Sequence, residues 1–278
     1  MTLYLNGRYM PIEEGRVSVE DRGFQFGDGV YEVIRFYGGK PFRMKDHLRR
    51  LQLSLEGIRI PLPEPLPKVE EVCRRVAKGL PEAQVYLQVT RGAAPRVHAF
   101  PKGEIRPTFV AYARETQRHP DGKTFALKRL LDDRWGRCHL KVVCLLANIL
   151  GRQQAVEAGC DEGLFVRDDG TVTEGTSSNA FFIVKGGLLT HPATNRILNG
   201  VTREAVLQVA RAEKVPVDER AVTFEEARAA DEAFMTGTLT EIMPAVTIDG
   251  KPVGGGKAGP VTLRLRAAFR ELVRRECE

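Results

Sequence analysis

The chain has 278 residues, 42% hydrophobic and 28% charged, with a net charge of +6 at neutral pH, the make-up of a globular protein able to bury a sizeable core. No apolar run approaches the roughly 20 residues of a membrane span, and the N-terminus lacks the regions of a secretory leader, so a cytoplasmic protein with no membrane partner is expected. The five cysteines are odd in number, scattered and in no Cys-x-x-Cys pair, which argues against a disulfide framework and a zinc site, and the basic residues are spread along the chain without a nucleic-acid recognition motif.

In chain order, residues 3–10 read as a hairpin around Asn6-Gly7. Residues 30–37 form a β-rich run closed by Gly38-Gly39. Leucines at 48, 51 and 55 make a helical stripe over 46–56, ended by Gly57. Four prolines mark 60–67 as a connector before an amphipathic helix over 69–80, and 84–91 and 108–113 read as strands. The polar, aperiodic stretch that follows sets the expected organisation: an N-terminal domain over 1–114, a linker over 115–122 and a C-terminal domain over 123–278.

In the second domain a strand over 140–143 leads into a helix ending near Ala158, capped by Gly159. Strands follow over 164–167, 171–174 and 180–184, then a helix from Asn199-Gly200 to about Lys214. Strands over 233–235 and 246–248, a glycine-rich loop over 254–259 and a helix over 262–275 close the chain. The fold class this grammar predicts is α+β in two domains.

Several segments could carry chemistry. Lys141 lies among apolar neighbours, where desolvation favours the neutral, nucleophilic amine; a solvent-facing strand lysine is the ordinary alternative. Glu174 ends a strand above the small polar loop Gly175-Thr-Ser-Ser-Asn179, a suitable place to meet a buried cation such as a protonated pyridine nitrogen. Val201 and Thr202, at a helix start, and Thr238, after a strand, could cradle an anion, though such residues also serve as plain caps. Arg50 on the first long helix could add a fixed positive charge. Arg96 and His98, two apart in a loop shaped by glycine and prolines, suit a carboxylate.

Taken in order, these segments resemble the fourth fold type of enzymes that use pyridoxal 5'-phosphate (PLP), and most closely the D-amino-acid aminotransferases. The resemblance runs from Tyr4 to about Pro252 and rests on Asp21–Ile34 with its Arg-Gly-Phe-Gln-Phe-Gly core, on His47-Leu-Arg-Arg50, on Lys141, and on Thr173-Glu-Gly-Thr-Ser-Ser-Asn179, Leu198-Asn-Gly-Val-Thr-Arg203 and Thr236-Gly-Thr238. It implies a smaller N-terminal α/β domain, a larger C-terminal β-rich pseudo-barrel and a homodimer. It also implies that Lys141 forms a Schiff base with PLP and moves the proton, that Glu174 holds the ring nitrogen protonated, and that Leu198 packs on the ring face. Arg50, Val201, Thr202 and Thr238 would bind the phosphate, and Tyr31, Arg96 and His98 the substrate carboxylate. The proton moves on the lysine side of the ring, so the side on which the carboxylate is anchored sets the hand of the substrate. The implied reaction passes amino groups between D-alanine or D-glutamate and pyruvate or 2-oxoglutarate. Val142-Val143-Cys144 and the Thr236-Gly-Thr238 segment depart toward other members of the fold, which leaves a branched-chain L-amino-acid aminotransferase and an aminodeoxychorismate lyase as alternatives. A non-catalytic metabolite-binding protein would leave the joint occurrence of these motifs unexplained.

Overall fold

The computed structural model describes residues 1–277. The chain forms two compact units: residues 1–117 with 140–144 and 276–277, and 118–139 with 145–275. Among the described residues no helix is long and apolar enough to cross a membrane.

The first unit holds β1 (Thr2–Leu5), β2 (Arg8–Pro11), α1 (Arg22–Phe26), β3 (Gly29–Tyr37), β4 (Lys40–Pro41), α2 (Met44–Gly57), α3 (Leu66–Val76), β5 (Ala83–Thr90) and β6 (Thr108–Glu115). Its strands lie in the order β2-β1-β6-β5-β3-β4. Alternation builds the sheet: Val85, Leu87 and Val89 of β5 are all fully buried and pair across to Ile34, Glu32 and Val30 of β3. That face meets the leucine stripe of α2 and Val69, Val72 and Val76 of α3 in one core. α3 begins at Leu66, three residues before the expected start, because Pro67 is tolerated in a first turn that needs no N–H from it. β6 runs to Glu115, one residue into the expected linker, through pairing of Glu115 with Ala83.

Residues 140–144 depart from expectation. They make no strand beyond a single bridge between Val142 and Val30, and they group with the first unit although they follow the linker in sequence. Leu140 and Val142 are buried in that unit's core, and a side chain on Gly57 would collide with Leu140. Burial of two apolar side chains and backbone pairing to β3 hold the segment there.

The second unit holds β7 (Phe125–Leu131), α4 (Leu146–Glu157), β8 (Glu162–Val166), β9 (Thr171–Gly175), β10 (Asn179–Val184), β11 (Gly187–Thr190), α5 (Val201–Ala212), β12 (Val217–Glu219), β13 (Val222–Thr223), α6 (Phe224–Ala229), β14 (Glu232–Gly237), β15 (Glu241–Ile248) and β16 (Lys251–Pro252); the last helix is α7 (Pro260–Cys277). The sheet path is β12-β11-β10-β14-β15-β7-β8-β9-β13, with β16 on β15. β9 and β10 are five steps apart on that path, about 24 Å in a flat sheet. Yet residues 176–178 alone join Gly175 to Asn179, a span of at most roughly 14 Å. The sheet must therefore curl into a half-barrel. This curl sets Glu174 and Asn179, from opposite ends of the path, side by side.

Candidate functional site

In the first unit the backbone of residues 140–144 is fastened at three points: Lys141 N donates to Ser54 Oγ of α2 at 3.1 Å, and Tyr31 N to Lys141 O and Val143 N to Gly29 O, each at 3.0 Å. With Leu140 and Val142 turned into the core, alternation turns Lys141 the other way. Its side chain is half-buried and its Nζ stands 4.0 Å from the centre of the Tyr31 ring. Tyr31 stacks on Tyr86 at 5.8 Å, and Tyr86 meets Tyr112 at 5.4 Å. The lysine thus sits over an aromatic face built by β3, β5 and β6.

The opposite face of β3 carries Glu32, which is fully buried. Arg50 clasps it with two hydrogen bonds, Nε to Oε1 at 2.7 Å and Nη2 to Oε2 at 2.9 Å, and His47 Nδ1 lies 2.8 Å from Oε2. Burial opposes the charge on Glu32, but Arg50 and His47 more than offset it, and the carboxyl sits well below its usual range. Burial also lowers His47, against the pull of Glu32. An ionised carboxylate only accepts, so the neutral imidazole donates from Nδ1.

Arg96 and His98 are exposed on the loop after β5, Arg96 over the Phe26 ring at 4.9 Å and His98 5.7 Å from the same ring. Arg22 holds this loop by donating to Val97 O at 2.6 Å, while Asp28 takes hydrogen bonds from both Arg22 and Arg91. Among the described residues no hydrogen bond or ring contact joins Tyr31 to Arg96 or His98. The structure of one chain therefore does not assemble the three as a carboxylate trap.

In the second unit Glu174 is next to last in β9 and is 6% exposed. Its Oε1 accepts from Arg134 Nη1 at 2.6 Å, and its Oε2 from Asn179 Nδ2 and from the Leu198 amide, each at 3.0 Å. Asn179 Nδ2 also reaches Leu198 O at 2.9 Å, so the residues before α5 are tied to this carboxylate. Burial pushes Glu174 up to about 7, against the guanidinium of Arg134 and the Leu198 amide. Arg134 turns its other edge to Asp132, Nε to Oδ1 at 2.8 Å and Nη2 to Oδ2 at 2.9 Å, and Thr173 Oγ1 donates to the same Oδ2 at 2.7 Å. Glu162 gathers the intervening loop, accepting from the hydroxyls of Thr176, Ser177 and Ser178.

α5 starts at Val201 with Gly200 as N-cap and no side-chain cap, so the first-turn amides of Val201 and Thr202 are not taken by a capping side chain. A side chain at Gly200 would strike Asn179. Thr238 is half-buried just past β14, and nearby Thr236 Oγ1 is buried with no hydrogen-bond partner. Each half fits part of a pyridine phosphate. A buried carboxylate short of a cation suits a protonated ring nitrogen, and uncapped amides with a buried hydroxyl suit phosphate oxygens.

Sequence reasoning missed Glu32, Asp132, Arg134 and Glu162, and had Asn179 only as the end of a motif. Glu32 carried a readable signal, a carboxylate in phase with Val30 and Ile34 on the inward face of an apolar strand. Asp132 and Arg134 carried little, because β7 before them was itself not anticipated. Among the described residues no cluster of three or more His, Cys, Asp or Glu could hold a metal ion.

Residues 29–248 match the family Amino-transferase class IV. The chain is 38% identical to the D-alanine aminotransferase of Staphylococcus haemolyticus over 275 residues, covering 98% of this chain and 97% of the relative. It is 40% identical to the D-alanine aminotransferase of Bacillus licheniformis over 282 residues, with the same coverage of both chains. Among solved structures it is similar to the branched-chain amino acid aminotransferase of Escherichia coli, at a TM-score of 0.89 and 30% identity over 100% of this chain and 95% of that one. It is likewise similar to the branched-chain amino acid aminotransferase of Thermobaculum terrenum in its PLP form, at a TM-score of 0.85 and 29% identity over 99% and 94%. With a lysine, a buried carboxylate and an uncapped helix start in the expected order, and a family match over most of its length, the chain belongs to the class IV aminotransferases.

Proposed function

We propose that the protein is a PLP-dependent D-amino-acid aminotransferase of the cytoplasm, exchanging amino groups between D-alanine or D-glutamate and pyruvate or 2-oxoglutarate. The observation that carries this reading is the 38–40% identity to D-alanine aminotransferases over 98% of the chain. PLP supplies an electron sink for the charge left when the substrate Cα loses its proton. Lys141 would hold the cofactor through its amine and would move the proton to and from the substrate Cα at Nζ. Glu174 pairs with the ring nitrogen, and Leu198, tied to it through the main chain, packs on the ring. Arg50, Thr238 and the amides of Val201 and Thr202 take the phosphate.

The substrate carboxylate goes to Tyr31, Arg96 and His98. Because one chain leaves Tyr31 apart from the other two, we assign Tyr31 to one protomer of a homodimer and the Arg96–His98 loop to its mate. Phe24, Val97 and Phe100, all at least half exposed beside that loop, are apolar surface that such a contact would cover.

Half-reactions of the loaded enzyme with D- and L-alanine test the hand: faster conversion of the D-isomer is expected. A preference for the L-isomer would overturn the assignment in favour of the branched-chain reading that the solved relatives suggest. Turnover that needs no oxo acid would indicate a lyase. For the shared site, mixing inactive Arg96→Ala and Lys141→Ala protomers should restore activity, since a mixed dimer contains one intact set; no recovery would refute the sharing.

A further inference from the structure

Asp132, Arg134 and Glu174 form a closed ionic cluster in the second unit, with side chains 1%, 5% and 7% exposed. The guanidinium is divided unequally. Nε and Nη2 both serve Asp132, at 2.8 and 2.9 Å, and only Nη1 serves Glu174, at 2.6 Å. The remaining donors are neutral on both sides, Thr173 Oγ1 to Asp132 and Asn179 Nδ2 and the Leu198 amide to Glu174. Cys138 also lies beside Arg134, and burial raises its thiol above the usual value and so keeps it neutral. Two carboxylates therefore share one arginine, and the cluster is one positive charge short.

An uncompensated charge in such surroundings is costly, so the cluster has to take up a cation or a proton. Were Asp132 absent, Arg134 could turn its full fork to Glu174, the favoured geometry of arginine and carboxylate, and that carboxylate would be satisfied without a cofactor. We infer that Asp132, which has no part in holding PLP directly, is a positioning residue that draws Arg134 away from Glu174 and so leaves Glu174 the single negative charge that selects a protonated ring nitrogen. This rests on the proposed pairing of Glu174 with that nitrogen. Neutralising Asp132 acts through two effects of the same sign: it removes negative potential from the site, and it frees Arg134 to compete for Glu174.

The test compares the affinity of the cofactor-free protein for PLP and for its analogue with carbon in place of the ring nitrogen, both followed by absorbance. In the wild type, PLP is preferred. Asp132→Asn should reduce that preference at least tenfold, mainly by weakening PLP while binding of the carbon analogue stays within about threefold. Asp132→Glu, which restores the charge, should recover most of it. Arg134→Met removes the cation instead and should raise the preference. If Glu174→Gln keeps the wild-type preference, the pairing of Glu174 with the nitrogen fails. If Glu174→Gln loses it and Asp132→Asn keeps it, the pairing stands and the inference about Asp132 is wrong. Should Asp132→Asn not fold, Arg134→Met decides, and a fall in preference there overturns the inference.

Discussion

Glu32 in the first unit and Glu174 in the second are both strand carboxylates, both buried and both bonded to an arginine, yet their acidities move in opposite directions. Glu32 is gripped by two donors of Arg50, with a neutral His47 as third partner, and it sits well below the usual carboxylate range. Glu174 shares Arg134 with Asp132 and rises to about 7. Depth of burial does not separate them. The donors that reach each one do: Glu32 takes two guanidinium donors and an imidazole, whereas Glu174 takes one guanidinium donor from an arginine that also serves Asp132, which leaves room for a cation.

The largest effect that can sharpen this contrast removes the chemistry and keeps both clusters. Lys141→Ala should lower transamination by more than about a thousandfold, and borohydride should no longer fix the cofactor to the protein, as mass spectrometry would record. Next in size, Glu32→Gln removes a fully buried charge from the ion pair with Arg50 and should lower the unfolding free energy by about 3–5 kcal/mol in urea. Asp132→Asn, which leaves Arg134 and Glu174 as a balanced pair, should cost less than about 2 kcal/mol. Equal losses at the two positions would break the comparison.

The pH dependence follows from the same difference. Glu174 is raised from an ordinary value of 4.5 to about 7, so in the cofactor-free protein its contribution is fully present below about pH 4.5. It is lost as pH rises through about 7, to an extent on the order of 3 kcal/mol. Glu32 is depressed and behaves inversely: its contribution is present above the unfolded value of 4.5 and lost only in stronger acid. Urea midpoints at pH 5 and pH 8 should fall further for the wild type than for Glu174→Gln. The smallest effect belongs to Thr236, whose buried hydroxyl has no partner. Thr236→Val should leave the cofactor-free protein within about 1 kcal/mol of the wild type, a change that calorimetry can resolve.

Much of the fold was legible because its signals are local. Alternation in β5, the leucine stripe of α2 and the Asn6-Gly7 turn each report on neighbouring residues, and each appears where expected. β7 was missed because Phe125, Leu127 and Leu130 are buried while Lys128 and Arg129 are not, a pattern too broken to read as a strand in isolation. The segment around Lys141 reads as a strand by composition, yet it found a place beside β3 and not in a sheet of its own unit of sequence. Apolar residues declare that they will be buried without declaring against what.

The order of the motifs by itself determined the family and pointed to the lysine, the carboxylate and the helix start, because these depend on residue type and spacing along the chain. Only the tertiary structure decided who neutralises whom. It brought Arg134 to a glutamate forty residues away, set Arg50 against Glu32 with two donors, and kept Tyr31 apart from Arg96 and His98 within one chain. Charge balance in a buried site is set by which groups are enclosed together, and distance along the sequence carries no record of that.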